Sequence, residues 1–400
     1  FLFDAAQIAE LDDQLGLAAD LWERVATEYP GDEHAGRAMF LSGLARYRIA
    51  DYSHALSLFQ KYSSVSSDLG TRAAAQFWQA KVLQAQGDLA SAQEAFETAA
   101  NTDPTGYYSE RARDLLLGRQ PFTPPETYDL SQDPDRERQL AEEWLRNTFG
   151  LSAETDLSTP GSIVGEPGFQ RGIELWQLGL LEEARSEFEA LRQATASDPV
   201  ASYQLASYLK DLGLYRSAIF AARQVLNLAG MSDADTLNAP LFFNHIRFGV
   251  YYADLVLPTA AEYEFHPLFL FSVIRQESAF EGFVRSSAGA RGLMQIIPTT
   301  GDEIAANLNW PPGYSSSDLY RPVVSVRLGA DYLDQWRDHF NGDQYAALAA
   351  YNGGPGNAIA WSALAGGDPD LFVEIIRFEE TRNYIRSIYE IFNLYRRIYD

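Results

Sequence analysis

One pattern occurs three times at a 37-residue interval near the start of this 400-residue chain. Trp22, Phe59 and Phe96 are 37 residues apart, and an alanine stands four residues before each of them. Within one interval, apolar residues at helical spacing lead to a turn at Gly87, and a second helical run follows. A pair of helices cannot bury its apolar faces alone, so successive pairs must stack. The interval therefore predicts a solenoid of helical hairpins.

A second block with a related pattern lies further along the chain. The residues around Gly179 and Ala184 are matched 34 residues later by those around Gly213 and Ala218. Small alanines at such positions let two helices approach closely. Both blocks resemble tetratricopeptide-like repeats, which implies helical hairpins with short connecting turns. We expect this part to bind a glycan, a peptide or a partner protein, because it carries no constellation of residues that suggests chemistry.

The composition changes along the chain and predicts where the domains end. Residues rich in Pro, Gly and Ser separate the two blocks and enclose one short amphipathic helix at 136–149. After the second block, from about residue 239, the repeat spacing is lost and lysine is absent. We predict an all-α protein in four parts: repeats at 1–116, a linker with one helix at 117–168, a second repeat block at 169–238 and a mainly helical domain at 239–400.

Charge and composition exclude several functions. The formal net charge is −24, which argues against nucleic acid as a partner. No apolar stretch approaches the roughly 20 residues that cross a bilayer, so we expect no transmembrane segment. There is no cysteine, and the five histidines are scattered, so we expect neither a thiolate nor a histidine-based metal site. Because the chain begins at Phe1, a signal peptide or anchor is expected to have preceded it.

One buried helix ends in a candidate acid. Pro267 opens an almost entirely apolar run that continues to Ile274 and then meets Glu277. A carboxyl at the C-terminal end of a buried helix is desolvated and faces the negative end of the helix dipole. Both effects raise its pKa. Glu277 therefore suits general acid catalysis, although the segment alone equally allows a surface glutamate at the end of a core helix.

The motifs that follow make the pattern specific. Four occur in order over some 110 residues: Glu277 with Ser278, then 292–295 (Gly-Leu-Met-Gln) preceded by Ser286, then 350–353 (Ala-Tyr-Asn-Gly), then 380–384 (Glu-Thr-Arg-Asn-Tyr). Residues 240–398 thus resemble the catalytic domain of the soluble lytic transglycosylases, relatives of goose-type lysozyme. The resemblance implies that residues 239–400 form a lysozyme-like α-helical catalytic domain, with Glu277 as the catalytic acid and a binding cleft for an amino sugar.

The resemblance also implies roles for the surrounding residues. We expect Tyr351 to donate its hydroxyl to the acid and orient it. Gln295 and Asn352 suit the N-acetyl and hydroxyl groups of the sugar, and Met294 offers an apolar wall. For Ser278 a hydrogen bond to the sugar and a cap on the helix end are both open. Ser286 and Tyr384 are the further expected contacts to the substrate.

Two further glutamates near the C-terminus are less certain members of the site. In the family, Glu374 and Glu380 lie on a stretch that closes the far side of the cleft. The family usually has proline where this sequence has Arg377, which leaves the path of the loop open. An ion pair with Arg382 or Arg386 that holds the last helix is the alternative for both glutamates.

The activity implied by the resemblance is cleavage of peptidoglycan between N-acetylmuramic acid and N-acetylglucosamine without water, closing a 1,6-anhydro ring with Glu277 as the single acid and base. The partners expected are peptidoglycan strands, in the periplasm or cell envelope. Two alternatives stay open. The same fold supports a lysozyme-like hydrolase with a second carboxylate, and a module that binds glycan without cutting it would keep the same cleft.

Overall fold

The computed structural model describes residues 1–400 and contains 21 α-helices and no β-strand, which confirms the all-α prediction. The chain divides into two units, Phe1–Thr123 and Pro124–Asp400. The second repeat block and the predicted catalytic residues lie in the same unit. The division into four parts therefore stays a prediction from the sequence.

The first unit is a series of antiparallel helices in which each helix packs on the next. Its helices are α1 (Leu2–Leu11), α2 (Leu15–Glu28), α3 (Ala35–Arg48), α4 (Tyr52–Val65), α5 (Leu69–Ala85), α6 (Leu89–Thr102) and α7 (Tyr107–Leu116). Helices α2, α4 and α6 each have 14 residues and begin 37 residues apart, at Leu15, Tyr52 and Leu89. The recurring interval is thus a recurring hairpin.

The repeated aromatic residues form the core of the first unit. Trp22, Phe59 and Phe96 are all buried, and so are the alanines four residues before them. Gly43 on α3 faces the ring of Phe59 so closely that a Cβ there would lie 2.8 Å from it. The large ring therefore requires a small residue opposite it, and this pairing sets the distance between α3 and α4.

The second unit begins with five helices that share one core. Four of them form two hairpins, and α8 corresponds to the helix predicted at 136–149. They are α8 (Pro134–Phe149), α9 (Pro167–Gln177), α10 (Leu181–Ala194), α11 (Pro199–Leu212) and α12 (Tyr215–Leu228). Phe169, Phe188 and Tyr203 are fully buried in this core. Gly179 and Gly213 adopt positive φ in the turns before α10 and α12, which explains their 34-residue repeat.

Nine further helices complete the second unit. They are α13 (Leu241–Arg247), α14 (Ala253–Glu262), α15 (Pro267–Ser278), α16 (Pro298–Leu308), α17 (Pro322–His339), α18 (Gln344–Gly353), α19 (Pro355–Ala365), α20 (Pro369–Ile375) and α21 (Glu379–Tyr399). Helix α15 packs against α14 and α21, and its apolar residues 268–274 are buried, as their sequence predicts.

Two breaks divide the helices at the end of this region. Backbone of non-helical conformation at Ile376 and Phe378 separates α20 from α21. Gly353, Gly354 and Pro355 mark the other break, between α18 and α19. In the structure Gly354 has φ +87°, and Pro355 is the first residue of α19, where a missing N–H costs nothing.

Candidate active site

Helix α15 brings Glu277 to the wall of a cavity. The ring of His266 accepts a hydrogen bond from the Leu268 amide, and Pro267 occupies the first helical position. The helix ends after Ser278, because Ala279 adopts φ +49°. Glu277 therefore lies in the last turn of a helix whose preceding residues are buried, and its side chain lines the cavity.

A tyrosine from the last helix holds the Glu277 carboxyl. The Tyr384 hydroxyl on α21 donates a hydrogen bond to Oε1 of Glu277 at 2.5 Å. Burial of the carboxyl raises the pKa of Glu277 to about 8, although the hydrogen bond from Tyr384 acts in the opposite direction. At neutral pH the carboxyl is therefore mainly protonated and can act as an acid.

Hydrogen bonds between serine hydroxyls and backbone groups hold the glycine-punctuated turn after α15 against its neighbours. The Ser278 hydroxyl donates to the Leu293 carbonyl at 2.9 Å, and the Met294 amide donates to the Ser325 hydroxyl at 3.0 Å. Gly292 has φ +75°, and a Cβ there would lie 1.9 Å from the Leu319 carbonyl oxygen. Only glycine fits this approach, so the turn is fixed beside the catalytic candidate.

Gln295 keeps an unusual backbone conformation at the cavity. Its φ of +47° is left-handed, which non-glycine residues rarely adopt. Its side-chain amide nitrogen donates to the Gly292 carbonyl at 2.8 Å, which orients the amide group. Strain of this kind persists where the surroundings fix it, and such positions cluster at functional sites.

The cavity that contains Glu277 has a volume of about 770 Å³ and is lined mostly by the C-terminal half of the chain. A second recess of about 400 Å³ shares Gln276, Glu277, Ser286 and Gln295 with it. Three arginines border this recess: Arg216 on α12, and Arg275 and Arg285. Glu277 therefore lies where a large cleft meets a smaller, positively charged recess.

The cavity brings together most of the residues expected to form the site. Its lining includes Glu277, Ser286, Gln295, Tyr351, Asn352, Glu380 and Tyr384. Ser278 borders the second recess, but its hydroxyl is already bonded to the Ile274 and Leu293 carbonyls. Its side chain therefore holds the helix end against the adjoining turn.

The tyrosine that donates a hydrogen bond to the acid is Tyr384 and not the expected Tyr351. The Tyr351 hydroxyl donates to the Met294 carbonyl at 2.6 Å, whereas Tyr384 reaches Glu277. Both tyrosines lie close to the carboxyl, because α18 and α21 border the same cavity. The sequence does not distinguish the two tyrosines, because each belongs to one of the four motifs. Only the packing of their helices decides which hydroxyl reaches the acid.

Two residues expected at the cleft wall, Met294 and Glu374, do not line the cavity. Met294 is fully buried, and its side chain packs against Gly329 on α17 instead of facing the cavity. Glu374 is buried and accepts a hydrogen bond from Arg386 at 2.7 Å, as in the alternative of an ion pair that holds the last helix. Glu380 is exposed and lines the cavity.

The cavity contains residues that the sequence analysis did not identify. Asn383 and Ser387 on α21 belong to its lining, together with Gln276, Thr300 and Tyr332. With Glu380 and Tyr384, the two residues on α21 repeat at helical spacing of three and four. Asn383 lies within the motif at 380–384 but was given no role, and extending that motif by one turn along the same helix face would have found Ser387.

No group of three or more His, Asp or Glu side chains is arranged to hold a metal ion. None of the helices combines the length and the apolar character needed to cross a membrane.

Comparison with known proteins agrees with this geometry. The family model for the transglycosylase SLT domain matches residues 254–370. The soluble lytic murein transglycosylase of Escherichia coli K12 is 36% identical over 145 residues, which are 36% of this chain and 22% of that protein. The membrane-bound lytic murein transglycosylase C of Actinobacillus pleuropneumoniae serotype 5b is 32% identical over 116 residues, covering 27% of this chain and 32% of that protein.

Solved structures show that the likeness in fold extends beyond the matched segment. An inactive mutant of the lytic transglycosylase Slt from Pseudomonas aeruginosa superposes with a TM-score of 0.66 at 25% identity, covering 94% of this chain and 54% of that one. The 70 kDa soluble lytic transglycosylase of Escherichia coli gives a TM-score of 0.63 at 22% identity, covering 99% and 61%. Residues 254–370 thus match the transglycosylase SLT domain, and the chain shares the helical fold of the solved lytic transglycosylases that it resembles.

Proposed function

We propose that this protein is a peptidoglycan lytic transglycosylase that cleaves the β-1,4 bond between N-acetylmuramic acid and N-acetylglucosamine. The observation that carries the proposal is the half-buried carboxyl of Glu277, which accepts a hydrogen bond from Tyr384 at the wall of the large cavity and whose pKa desolvation raises to about 8. The related proteins named as murein transglycosylases support the same substrate. A protein that acts on peptidoglycan works outside the cytoplasmic membrane, so we place it in the periplasm or cell envelope.

The proposed reaction uses Glu277 twice. First the protonated carboxyl donates its proton to the glycosidic oxygen as the bond to the anomeric carbon breaks. The oxygen of the substrate's own N-acetyl group stabilises the positive charge on that carbon. The Glu277 carboxylate then accepts the proton of the C6 hydroxyl, whose oxygen closes the 1,6-anhydro ring. The proton returns to Glu277, no water is consumed and no metal or cofactor takes part.

The hydrogen bond from Tyr384 supports both steps. It keeps Oε1 of Glu277 in one position, so that the other carboxyl oxygen is free for proton transfer. It also stabilises the carboxylate that exists between the two steps, which moderates the increase in pKa caused by burial.

A hydrolase is the second candidate, because one more carboxylate lines the cavity. Glu380 is exposed at its wall, whereas Glu374 is buried in an ion pair. Hydrolases that retain or invert configuration normally use two carboxylates. In that case Glu380 would act as the nucleophile or the base, and the products would contain one more water.

The products distinguish these functions. Purified peptidoglycan is incubated with the wild-type protein, Glu277→Gln or Glu380→Gln, and the soluble products are weighed by mass spectrometry. We expect anhydro products from the wild type and Glu380→Gln but none from Glu277→Gln. Reducing-end products that require Glu380 would establish the hydrolase. Binding to sacculi without any product would leave a glycan-binding module and refute both enzymes.

We also propose that the second recess binds the carboxylates of the peptides attached to peptidoglycan. Arg216 and Arg285 are exposed and border it, and no ion pair neutralises either one. Positive charge at this place is notable in a chain of net charge −24, because peptide carboxylates need such partners in order to approach. The recess meets the cavity at Glu277, which is where the muramic acid that carries the peptide would lie.

Removal of one arginine tests the recess. Arg285→Ala should raise the KM for glycan strands that carry peptides by about tenfold, the effect expected for one charge-assisted hydrogen bond. The KM for strands stripped of peptides by an amidase should stay unchanged. Lys61→Ala, which removes an exposed charge from the first unit, is the control. Equal effects on both substrates would contradict a peptide-binding role.

A further inference from the structure

The segment directly after the catalytic candidate has a strained backbone. Ala279 and Phe280 have φ of +49° and +66°, and both are ordinary residues with a Cβ. One left-handed residue of this kind is uncommon, and two in succession require that the surroundings hold them. The strain begins two residues after Glu277, so whatever holds the segment also fixes the end of α15.

Part of the restraint comes from packing within the C-terminal helices. The Phe280 ring is fully buried and contacts the Tyr251 ring edge-on, with centroids 5.2 Å apart. The next amide, that of Glu281, donates to the Ser278 carbonyl at 3.2 Å. These contacts close a tight turn, but they do not determine the path of the backbone after it.

The segment then turns its side chains toward the second repeat block. Glu281 is buried, and its Oε2 lies 3.4 Å from the Arg185 guanidinium on α10. Two residues later, the Phe283 ring meets the Trp176 ring on α9 at 6.4 Å. Alternate residues of the segment therefore lie against two helices of the repeat block.

The Arg185 contact is poorly suited to a purely structural role. Oε1 of Glu281 is buried without a hydrogen-bond partner, and the contact at Oε2 is long. Burying a carboxylate with so few partners is unfavourable, and an apolar residue would pack there at lower cost. A costly buried pair beside a strained segment points to a role in placing the segment.

We propose that Arg185 and Glu281 are positioning residues, which tie the segment after α15 to α10 and thereby fix the carboxyl of Glu277 for proton transfer. This inference rests on the proposed function, because it assigns the two residues a role in that reaction. It gives the second repeat block a part in catalysis as well as in binding.

The charges around Glu281 make its pairing sensitive to pH. The charged groups that face it are Arg185, Glu182 and Glu189 on α10 and Arg216 on α12, with the Tyr252 hydroxyl as a further titratable neighbour. Burial raises the pKa of Glu281 to about 7, although the two arginines oppose the increase. The pair therefore forms as pH rises through about 7.

Two titrations should then limit the reaction rate. Activity increases as Glu281 ionises near pH 7 and decreases as Glu277 loses its proton near pH 8. The wild type should therefore have a narrow, bell-shaped dependence of kcat on pH. The increase on the acidic side belongs to Glu281, and the decrease on the basic side belongs to Glu277.

The test compares Arg185→Gln and Glu281→Gln with Arg171→Gln. Arg171 forms an exposed ion pair with Glu187 between α9 and α10, so its variant removes a charge pair from the same block without touching the segment. Initial rates on soluble peptidoglycan strands are measured from pH 5 to 9. We expect the first two variants to lose about tenfold to a hundredfold in kcat with little change in KM. Glu281→Gln should also lose the acidic limb, and Arg185→Lys should restore most of the rate.

The outcomes separate this inference from the proposed function. A wild type that forms no anhydro products refutes the proposed function and the inference with it. An active wild type whose kcat and acidic limb survive both substitutions refutes the inference alone. If the single variants do not fold, the double variant with glutamine at both positions leaves no buried charge without its partner, because Glu182, the other carboxylate that pairs with Arg185, is exposed. A folded double variant with wild-type kcat would likewise overturn the inference.

Discussion

The turns of the first unit and the segment after Glu277 both use left-handed backbone, but under different constraints. In the first unit, Asp13, Ala50 and Gly87 have φ of +56°, +59° and +83° at equivalent turns 37 residues apart. Three different residue types occupy these positions, and a Cβ on Gly87 would meet no atom within 4 Å. Ala279 and Phe280, by contrast, lie in a segment fixed by buried contacts. The left-handed conformation therefore accepts different residue types in the open turns of the first unit, whereas buried contacts restrict it in the segment after Glu277.

The comparison teaches that strain alone does not mark a site. A turn open to solvent accepts a left-handed residue at a modest cost, because nothing else depends on the position of its atoms. At the candidate site the same conformation coincides with buried carboxyls, close backbone approaches and a cavity. The following predictions test this difference between the two regions.

The largest expected effect concerns the carboxyl of Glu277 and stability. Its pKa is raised to about 8, so the folded protein binds a proton that the unfolded chain releases near pH 4.5. Stability should therefore decrease as pH rises between these values, by at most about 1.4 kcal/mol for each pH unit. Glu277→Gln lacks this penalty and should unfold at higher denaturant concentration than the wild type at pH 8 but not at pH 4.

The control for this measurement is Glu97→Gln, an exposed glutamate on α6 of the first unit. It should leave the pH dependence of unfolding unchanged. Parallel unfolding curves for the wild type and Glu277→Gln at every pH would mean that the carboxyl is not desolvated, and the distinction between the two regions would fail.

The next effect concerns a glycine beside the site. Gly292→Ala should lower the free energy of unfolding by about 3 kcal/mol, because the new Cβ meets the Leu319 carbonyl and the backbone is left-handed. Gly313→Ala in the same unit is the control, because Gly313 also has positive φ but no atom within 4 Å of the added Cβ. If chemical denaturation shows equal decreases in the free energy of unfolding for both variants, the close contact with the Leu319 carbonyl does not contribute to the loss.

A smaller effect separates the two tyrosines at the cavity. Tyr384→Phe should reduce kcat by about tenfold, because the Glu277 carboxyl loses the hydrogen bond that orients it. The same bond lowers the pKa of Glu277, so the decrease in activity at basic pH should move to higher pH in the variant. Tyr351→Phe loses a bond to the Met294 carbonyl instead, and should leave the position of that limb unchanged. A shift in Tyr351→Phe alone would exchange the roles of the two residues.

The smallest effect belongs to the open turns. Gly87→Ala should destabilise the first unit by about 1 kcal/mol, since only the left-handed backbone opposes the change. Gly16→Ala on α2 has equally open space and a right-handed backbone, so it should stabilise the unit by about 0.5 kcal/mol. Thermal unfolding of both variants measures the difference. A loss at Gly87 as large as that at Gly292 would remove the contrast between the regions.

The sequence predicts the regular parts of the fold well. The interval between Trp22, Phe59 and Phe96 identifies three hairpins, because each hairpin buries an aromatic residue and an alanine at the same positions. The buried helix from Pro267 is equally clear, since few structures other than a core helix accommodate such an apolar run. Local patterns suffice where local rules decide the structure.

The details of the site depend on packing that local patterns do not contain. The motif at 292–295 identifies a functional turn, but whether Met294 faces the cavity depends on Gly329 of α17, which lies far away in the chain. The choice between Tyr351 and Tyr384 depends likewise on how α18 and α21 meet α15. Glu281 has no motif of its own, and only its contact with Arg185 reveals it.

The equal step between Asp13, Ala50 and Gly87 bears on how the first unit can change in length. Helices α2, α4 and α6 each begin two residues after these turns. Joining Ala50 directly to Asp88 would remove one full step and recreate a junction of the same backbone conformation, with α6 in the place of α4. Insertions and deletions of 37 residues therefore preserve every type of contact that the hairpins make. We therefore expect the first unit to accept the loss or gain of whole 37-residue repeats without a new kind of helix interface.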